Sequence, residues 1–261
     1  MSSAATTAQY PPALRGADDA RPSLTRLAAV ELRKMADTRA GLWLQISVAL
    51  LTVLVVVITC VTGHAQDHSL RHIFDNAIQP AAVLLPIVGT LLVTSEWSQR
   101  TTLSTFALVP RRSRVIAAKL LASLAMTAVA FAVCLVVSLL GSALLVDAPA
   151  QGGGLTAAIV LQDFVYLAVA MLIGFALGAA LLSSALAIVV YFALPTALGA
   201  LESVLSSHAV TRWLDTGLSL DPLAMHALSA AEWARVGTTL ALWIGLPLAV
   251  GVWRVLRSEI K

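Results

Sequence analysis

The sequence predicts an all-α integral membrane protein. Its expected parts are six transmembrane helices, an N-terminal amphipathic helix at the inner membrane face, a short cytoplasmic element between spans 2 and 3, and short outer helices before span 6. Three observations lead there. Hydrophobic residues make up 59% of the chain and charged residues 12%, against roughly 25% charge in an ordinary soluble domain. Uncharged runs cover 40–66, 76–95, 120–146, 164–201 and 236–253; each is near or above the about 20 apolar residues a spanning helix needs, and too long for barrel strands. Lysine and arginine are also divided unevenly among the loops, the pattern that sets membrane orientation.

The 38 residues of 164–201 would form a helix about 57 Å long, nearly two bilayer cores. They therefore predict a hairpin, with its break near 178–184 in the small-residue segment GAALLSS. Six spans result, at about 42–62, 78–96, 116–146, 156–179, 184–202 and 234–254, within a membrane domain of 41–257. This layout places 14 lysines and arginines on one side and only Arg71, Arg212 and Arg235 on the other, so the first side, with both termini, is expected to be cytoplasmic. Five spans would divide the same charges 13 to four; charge sets the orientation and length sets the count. Trp43, Trp97 and Trp253 then fall at inner span ends and Trp213 and Trp233 near outer ones, where amphipathic rings prefer to sit.

Residues 1–22 are polar, include Pro11 and Pro12 and lack an apolar core. They are read as a disordered cytoplasmic tail without a cleavable signal, the first span acting as an uncleaved anchor; 258–261 form a second tail. From Ser23, helical spacing places Leu24, Leu27, Ala28, Leu32 and Met35 in one arc with Arg26, Arg33 and Asp37 opposite. That predicts an amphipathic interfacial helix over 23–40, although a plain extension of the first span fits the same pattern. Glu31 falls near the centre of the arc, where an unpaired carboxylate is costly, so it predicts a cationic partner. Lys34 at i+3 would give an exposed pair contributing a few tenths of a kcal/mol; the preferred partner lies in the 96–114 loop.

That loop is longer than a connection requires. Leu103, Phe106, Leu108 and Val109 stand among Thr101, Thr102, Ser104 and Thr105 before Pro110, an amphipathic element suited to contact a partner. Arg111, Arg112 and Arg114 anchor the start of span 3 at anionic headgroups. Further on, Leu201, Leu205 and His208 have helical spacing, Pro222 breaks the pattern, and Ser229-Ala-Ala-Glu232 is a capping box that starts the last helix. Short interfacial or re-entrant helices are expected between them.

Gly174-Phe-Ala-Leu-Gly178 permits close helix approach and is assigned to internal packing rather than a dimer face. Asp163, about two turns into span 4, is a candidate for a substrate-pathway or proton role, unless its side chain reaches the headgroups. His64, His68 and His72 recur every four residues with Asp75 three further on. Imidazoles so spaced can ligate zinc, but three ligands on one continuous helix rarely close a tetrahedral site, so no metal is assigned. Cys60 and Cys134 lie within spans and predict packing, not a disulfide. The chain has no G-x-x-x-x-G-K-[ST] loop and no H-E-x-x-H.

Glu96-Trp97, Thr101, Pro110, Arg111-Arg112 and Lys119 follow in order off a hydrophobic span. ELRKMADTRAGLW, from Glu31 to Trp43, approaches the first span, and GFALGAALLSSALAIVVYFALP, from Gly174 to Pro195, forms the hairpin. Together these resemble the type-2 ABC export permeases, in whose loop an acidic residue, a Gly-Thr pair, a Pro-Arg element and a lysine recur in that order. The resemblance extends over most of 24–257. Arg100 stands where that family usually has glycine, and Ser183 where it commonly has arginine.

What the resemblance implies is the membrane subunit of a bacterial ATP-binding-cassette exporter in the plasma membrane. Two permeases, this chain with a second copy or a related one, would sit on two separate ATPase subunits. ATP and Mg would be bound by the partner ATPase and none by this chain, which would not itself be an enzyme. The segment 96–109 would be the coupling helix, with Glu96, Thr101, Leu103, Phe106, Pro110 and Arg111 as coupling residues, and Glu31, Lys34 and Arg39 would mark the interfacial helix flanking it. Membrane lipids, and no nucleic acid, complete the expected partners. Spans rich in Leu, Val and Ala suit a hydrophobic or amphipathic cargo such as a drug, antibiotic, peptide or lipid. A secondary transporter working without ATP would show inverted repeats and midplane polar residues. An intramembrane enzyme would need two convergent catalytic residues where only Asp163 qualifies.

Overall fold

In hydrocarbon, a backbone can close its hydrogen bonds only within helices or closed barrels, and the apolar runs of this chain take the helical solution. The computed structural model describes residues 23–62, 69–98, 112–144, 155–205, 216–225 and 228–257. In chain order the helices are α1 (Leu24–Asp37), α2 (Arg39–Thr62), α3 (Leu70–Ala77), α4 (Gln79–Ser98), α5 (Arg112–Leu144), α6 (Ala157–Leu181), α7 (Ser184–Leu205), α8 (Thr216–Met225), α9 (Ala230–Thr239) and α10 (Leu246–Arg257), with a π-helical turn (Leu240–Gly245) joining the last two. Five stretches are long and apolar enough to cross a membrane: Arg39–Thr62, Leu70–Ser95, Ser113–Leu144, Ala157–Leu181 and Ala230–Arg254. The apolar part of α7, Ser184–Ala200, is shorter.

α6 is the hub. Fourteen of its 25 residues are buried, and it packs on α4, α5, α7, α8, α10 and the π turn. Its most extensive partner is α4, and the reason is local. A Cβ on Gly174 would collide with the Pro86 carbonyl, and one on Gly89 with the Met171 carbonyl, so the two backbones lie in direct contact, as small residues allow. Thr90 Oγ1 lies 2.9 Å from Pro86 O and 3.0 Å from Gly174 O, its proton serving either carbonyl across the seam. The Gly174 and Gly178 pattern thus faces α4 inside the bundle. By contrast α2 buries only Gly41, Val48, Thr52 and Val56, one stripe toward its neighbours, and leaves Leu50, Leu54, Val57 and Val61 exposed, as a lipid-facing helix does.

The hairpin break falls at Leu182 and Ser183, inside the small-residue segment. Leu182 adopts φ 55°, a left-handed conformation costing about 1–2 kcal/mol in a non-glycine residue. Its N–H donates to Gly178 O at 2.9 Å, and Arg254 from α10 donates to the Ala180 carbonyl, so the last turn of α6 is satisfied from two directions. Thr94 Oγ1 and Ser184 Oγ, 2.7 Å apart, tie α4 to the start of α7.

Several boundaries differ from the sequence reading. α1 ends at Thr38, whose Oγ1 donates to Met35 O at 3.0 Å while accepting from Gly41 N at 3.3 Å; this local bonding diverts the chain. Arg39 is therefore the exposed first residue of α2 rather than the end of the interfacial helix. Pro222 lies inside α8 instead of breaking it. The Ser229 and Glu232 capping box opens α9, with Glu232 Oε2 accepting from Ser229 N at 2.7 Å. α3, in a stretch read as loop, has its own cap, Ser69, accepting from His72 N at 3.2 Å.

Candidate functional site

Two clusters of charge are buried in the described residues, one at each end of the bundle. At the end carrying α1, helical spacing puts Ala28, Glu31 and Met35 on the buried stripe. Glu31 is 5% exposed. Its Oε2 accepts from Lys119 Nζ at 2.6 Å and its Oε1 from Lys34 Nζ at 2.8 Å, and Lys119 Nζ also donates to Leu92 O at 3.0 Å. One ammonium thus joins α1, α4 and α5. The partner of Glu31 is not in the 96–114 loop but beyond it. α5 already begins at Arg112, and its phase turns Val115, Ala118, Lys119 and Ala122 toward the interior. Lys34 contributes from the surface, its side chain 43% exposed.

At the opposite end, Asp163 is fully buried and faces inward rather than toward headgroups. Its Oδ2 accepts from Arg71 at 2.9 Å, and Arg71 lies 2.9 Å from Asp75, one turn on along α3. Asp163 Oδ1 has no hydrogen-bond partner. An edge-to-face ladder runs beside the pair: Phe74 of α3 stands 5.6 Å from Phe131 of α5, which stands 5.5 Å from Phe164 of α6. The preceding residue, Gln162, donates to Leu223 O of α8 at 3.2 Å. Adjacent residues of α6 therefore hold both short helices of this end. Arg71 was missed in the sequence reading; its signal was a lone cation between spans, one helical turn before Asp75, facing a buried acid that had no assigned counter-ion.

Of the remaining candidates, Glu96 lies in the last turn of α4, its side chain outside the described residues, while Thr101, Leu103, Phe106, Pro110 and Arg111 lie outside them altogether, as do His64 and His68. His72 is an exposed residue of α3. Among the described residues no three His, Cys, Asp or Glu converge to hold a metal. Cys134 packs against Thr52 and Cys60 against Gly141, both as free thiols. Among the described residues, the arrangement joins helices through charge. Compared with known proteins, the chain matches no protein-family model and no curated protein.

Proposed function

We propose that the chain is the membrane-spanning permease subunit of an ATP-binding-cassette exporter, moving a hydrophobic or amphipathic cargo and driven by a separate ATPase. The observation that carries this reading is the Glu31–Lys119 pair at 2.6 Å. It locks an amphipathic helix to the same end of the bundle from which α4 leaves and α5 returns, the place where a cytoplasmic motor would engage. A push on α1 or on the connection between Ser98 and Arg112 would then be delivered to three helices through one buried ammonium. α7, counted as a sixth span, supports both termini lying in the cytoplasm: 22 residues rise about 33 Å, enough for one crossing. ATP binding on the partner would shift the permease between its states by binding them unequally.

The test is co-expression with candidate ATP-binding-cassette ATPase subunits from the same genome. A stable complex is expected, with hydrolysis stimulated by the permease, and Glu96→Ala with Phe106→Ala should abolish that stimulation while the fold survives. Absence of any complex would overturn the reading. A second reading, an ATP-independent secondary transporter, draws on the buried Asp163 and Arg71 pair, since intramembrane charge marks transport pathways. Uptake or efflux in vesicles that runs on an ion gradient without ATP would favour it.

A further inference from the structure

Among the described side chains, the cluster at the α3 end joins two carboxylates through one guanidinium, and Asp163 is the carboxylate with the least support. Asp75 keeps contact with water, its side chain 36% exposed, and pairs with Arg71; His72 also acts on it. Asp163 has no contact with water, shares the same Arg71, and is repelled by Asp75. One of its two oxygens has no partner. Among the described residues, the elements packed around it offer no second cation: α4 and α5 carry no charged residue toward this end, and the charged residues that α7 and α8 have in sequence here, Glu202 and Asp221, are acids. Of all these groups, only Arg71 and Asp75 act on Asp163.

A buried carboxylate that shares its one cation with a second carboxylate does not stay ionised without cost, because its share of the charge cannot be solvated. A hydroxyl without a partner costs far less than a buried charge without one.

We propose that Asp163 is a proton-binding site, its Oδ1 carrying a proton taken from water while Oδ2 accepts from Arg71. Arg71 and Asp75 then form the neutral pair, and the cluster is balanced. Return of that proton to water leaves net negative charge beneath α3 and favours parting of α3 from α6, so that water reaches Asp163. Opening of this end and proton release are therefore linked, and each must drive the other by the same amount. The inference rests on neither reading of the function; it holds for a permease driven by ATP and for one driven by a gradient.

The experiment is infrared difference spectroscopy on the purified full-length protein in lipid nanodiscs, titrated from acid to alkali, with wild type, Asp163→Asn and Asp75→Asn. A protonated carboxyl C=O band is expected in the wild type at neutral pH. It should convert to carboxylate on alkalinisation, vanish in Asp163→Asn, and convert at lower pH in Asp75→Asn, where Arg71 is left to Asp163 alone. Absence of the band in the wild type, or its survival in Asp163→Asn, overturns the proposal. Asparagine is isosteric with the protonated acid, so Asp163→Asn should keep the wild-type thermal midpoint at neutral pH. Failure of that variant to fold would show that the charge is required, and would equally overturn it.

Discussion

At the α1 end one carboxylate, Glu31, is shared between two ammonium groups, whereas at the α3 end one guanidinium, Arg71, is shared between two carboxylates. In the first cluster the second ammonium, on Lys34, has a side chain 43% exposed, so water helps to solvate it. Both oxygens of the buried partner are bonded. In the second cluster both carboxylates keep an oxygen without a hydrogen bond, Asp75 Oδ1, which lies 2.9 Å from Arg71, and Asp163 Oδ1 on the fully buried side chain. A buried polar network fully satisfied is rigid, and one partly satisfied stores a tendency to change. The α1 end therefore acts as a staple, and on our proposal the α3 end is the place where the bundle can respond.

The largest effect should follow from breaking the staple. Lys119→Met removes the ammonium that enters the interior and leaves Glu31 buried with only the surface-borne Lys34; breaking such a pair costs about 3–5 kcal/mol. The thermal midpoint in detergent should fall accordingly, and adding Glu31→Met should restore most of the loss, since no buried charge is then stranded. A Lys119→Met variant as stable as wild type would erase the contrast between the two ends.

Next in size is the seam that both ends share. Gly174→Leu would drive a side chain into the Pro86 carbonyl, an overpacking cost of about 2 kcal/mol. Gly199→Ala, with nothing within 4 Å of the new Cβ, should be neutral or slightly stabilising by helix propensity. If the two substitutions behaved alike in thermal unfolding, the α4 and α6 seam would not be the rigid reference against which the ends differ.

The sequence carried this plan unevenly. The all-helical class and the break in the 164–201 run were legible because length is a global constraint: 38 uncharged residues do not fit one crossing, and the turn falls at Leu182 and Ser183. The six-span count remains a proposal, since five stretches meet the length and apolarity of a span. Capping at Ser229 was legible because it is chemistry between residues three apart. That Glu31 needs a cation was legible from its place in the apolar arc, but the identity of that cation was not, because it depends on where α5 begins and how it is rotated. The π turn over Leu240–Gly245 was illegible for another reason: LALWIG has the same apolar composition in an α-helix, and only its packing against α6 sets it apart.

A smaller loss is expected from Arg71→Met. The change strips the cation from two carboxylates, yet Asp75 can turn to water and Asp163 can hold a proton, so about 1–2 kcal/mol is expected, near the cost of one lost charged hydrogen bond. The ratio to the Lys119→Met effect is the sharper quantity. Equal losses in parallel melts would mean that Asp163 is an obligate anion, and the α3 end would then be a second staple.

The smallest effect belongs to Lys34→Ala. Its 2.8 Å contact to Glu31 is short, and by distance alone it rivals the Lys119 bond. Distance is the wrong measure here, because Lys34 gives up little hydration to make the contact and an i, i+3 pair on a wet surface contributes about 0.2–0.5 kcal/mol. Glu31 would keep Lys119, so no buried charge is stranded. The shift in thermal midpoint should shrink further in high salt, which screens the exposed ammonium and leaves the Lys119 bond untouched. A salt-insensitive loss as large as that of Lys119→Met would show that the two lysines act as one unit, and that the staple depends on charge count rather than burial.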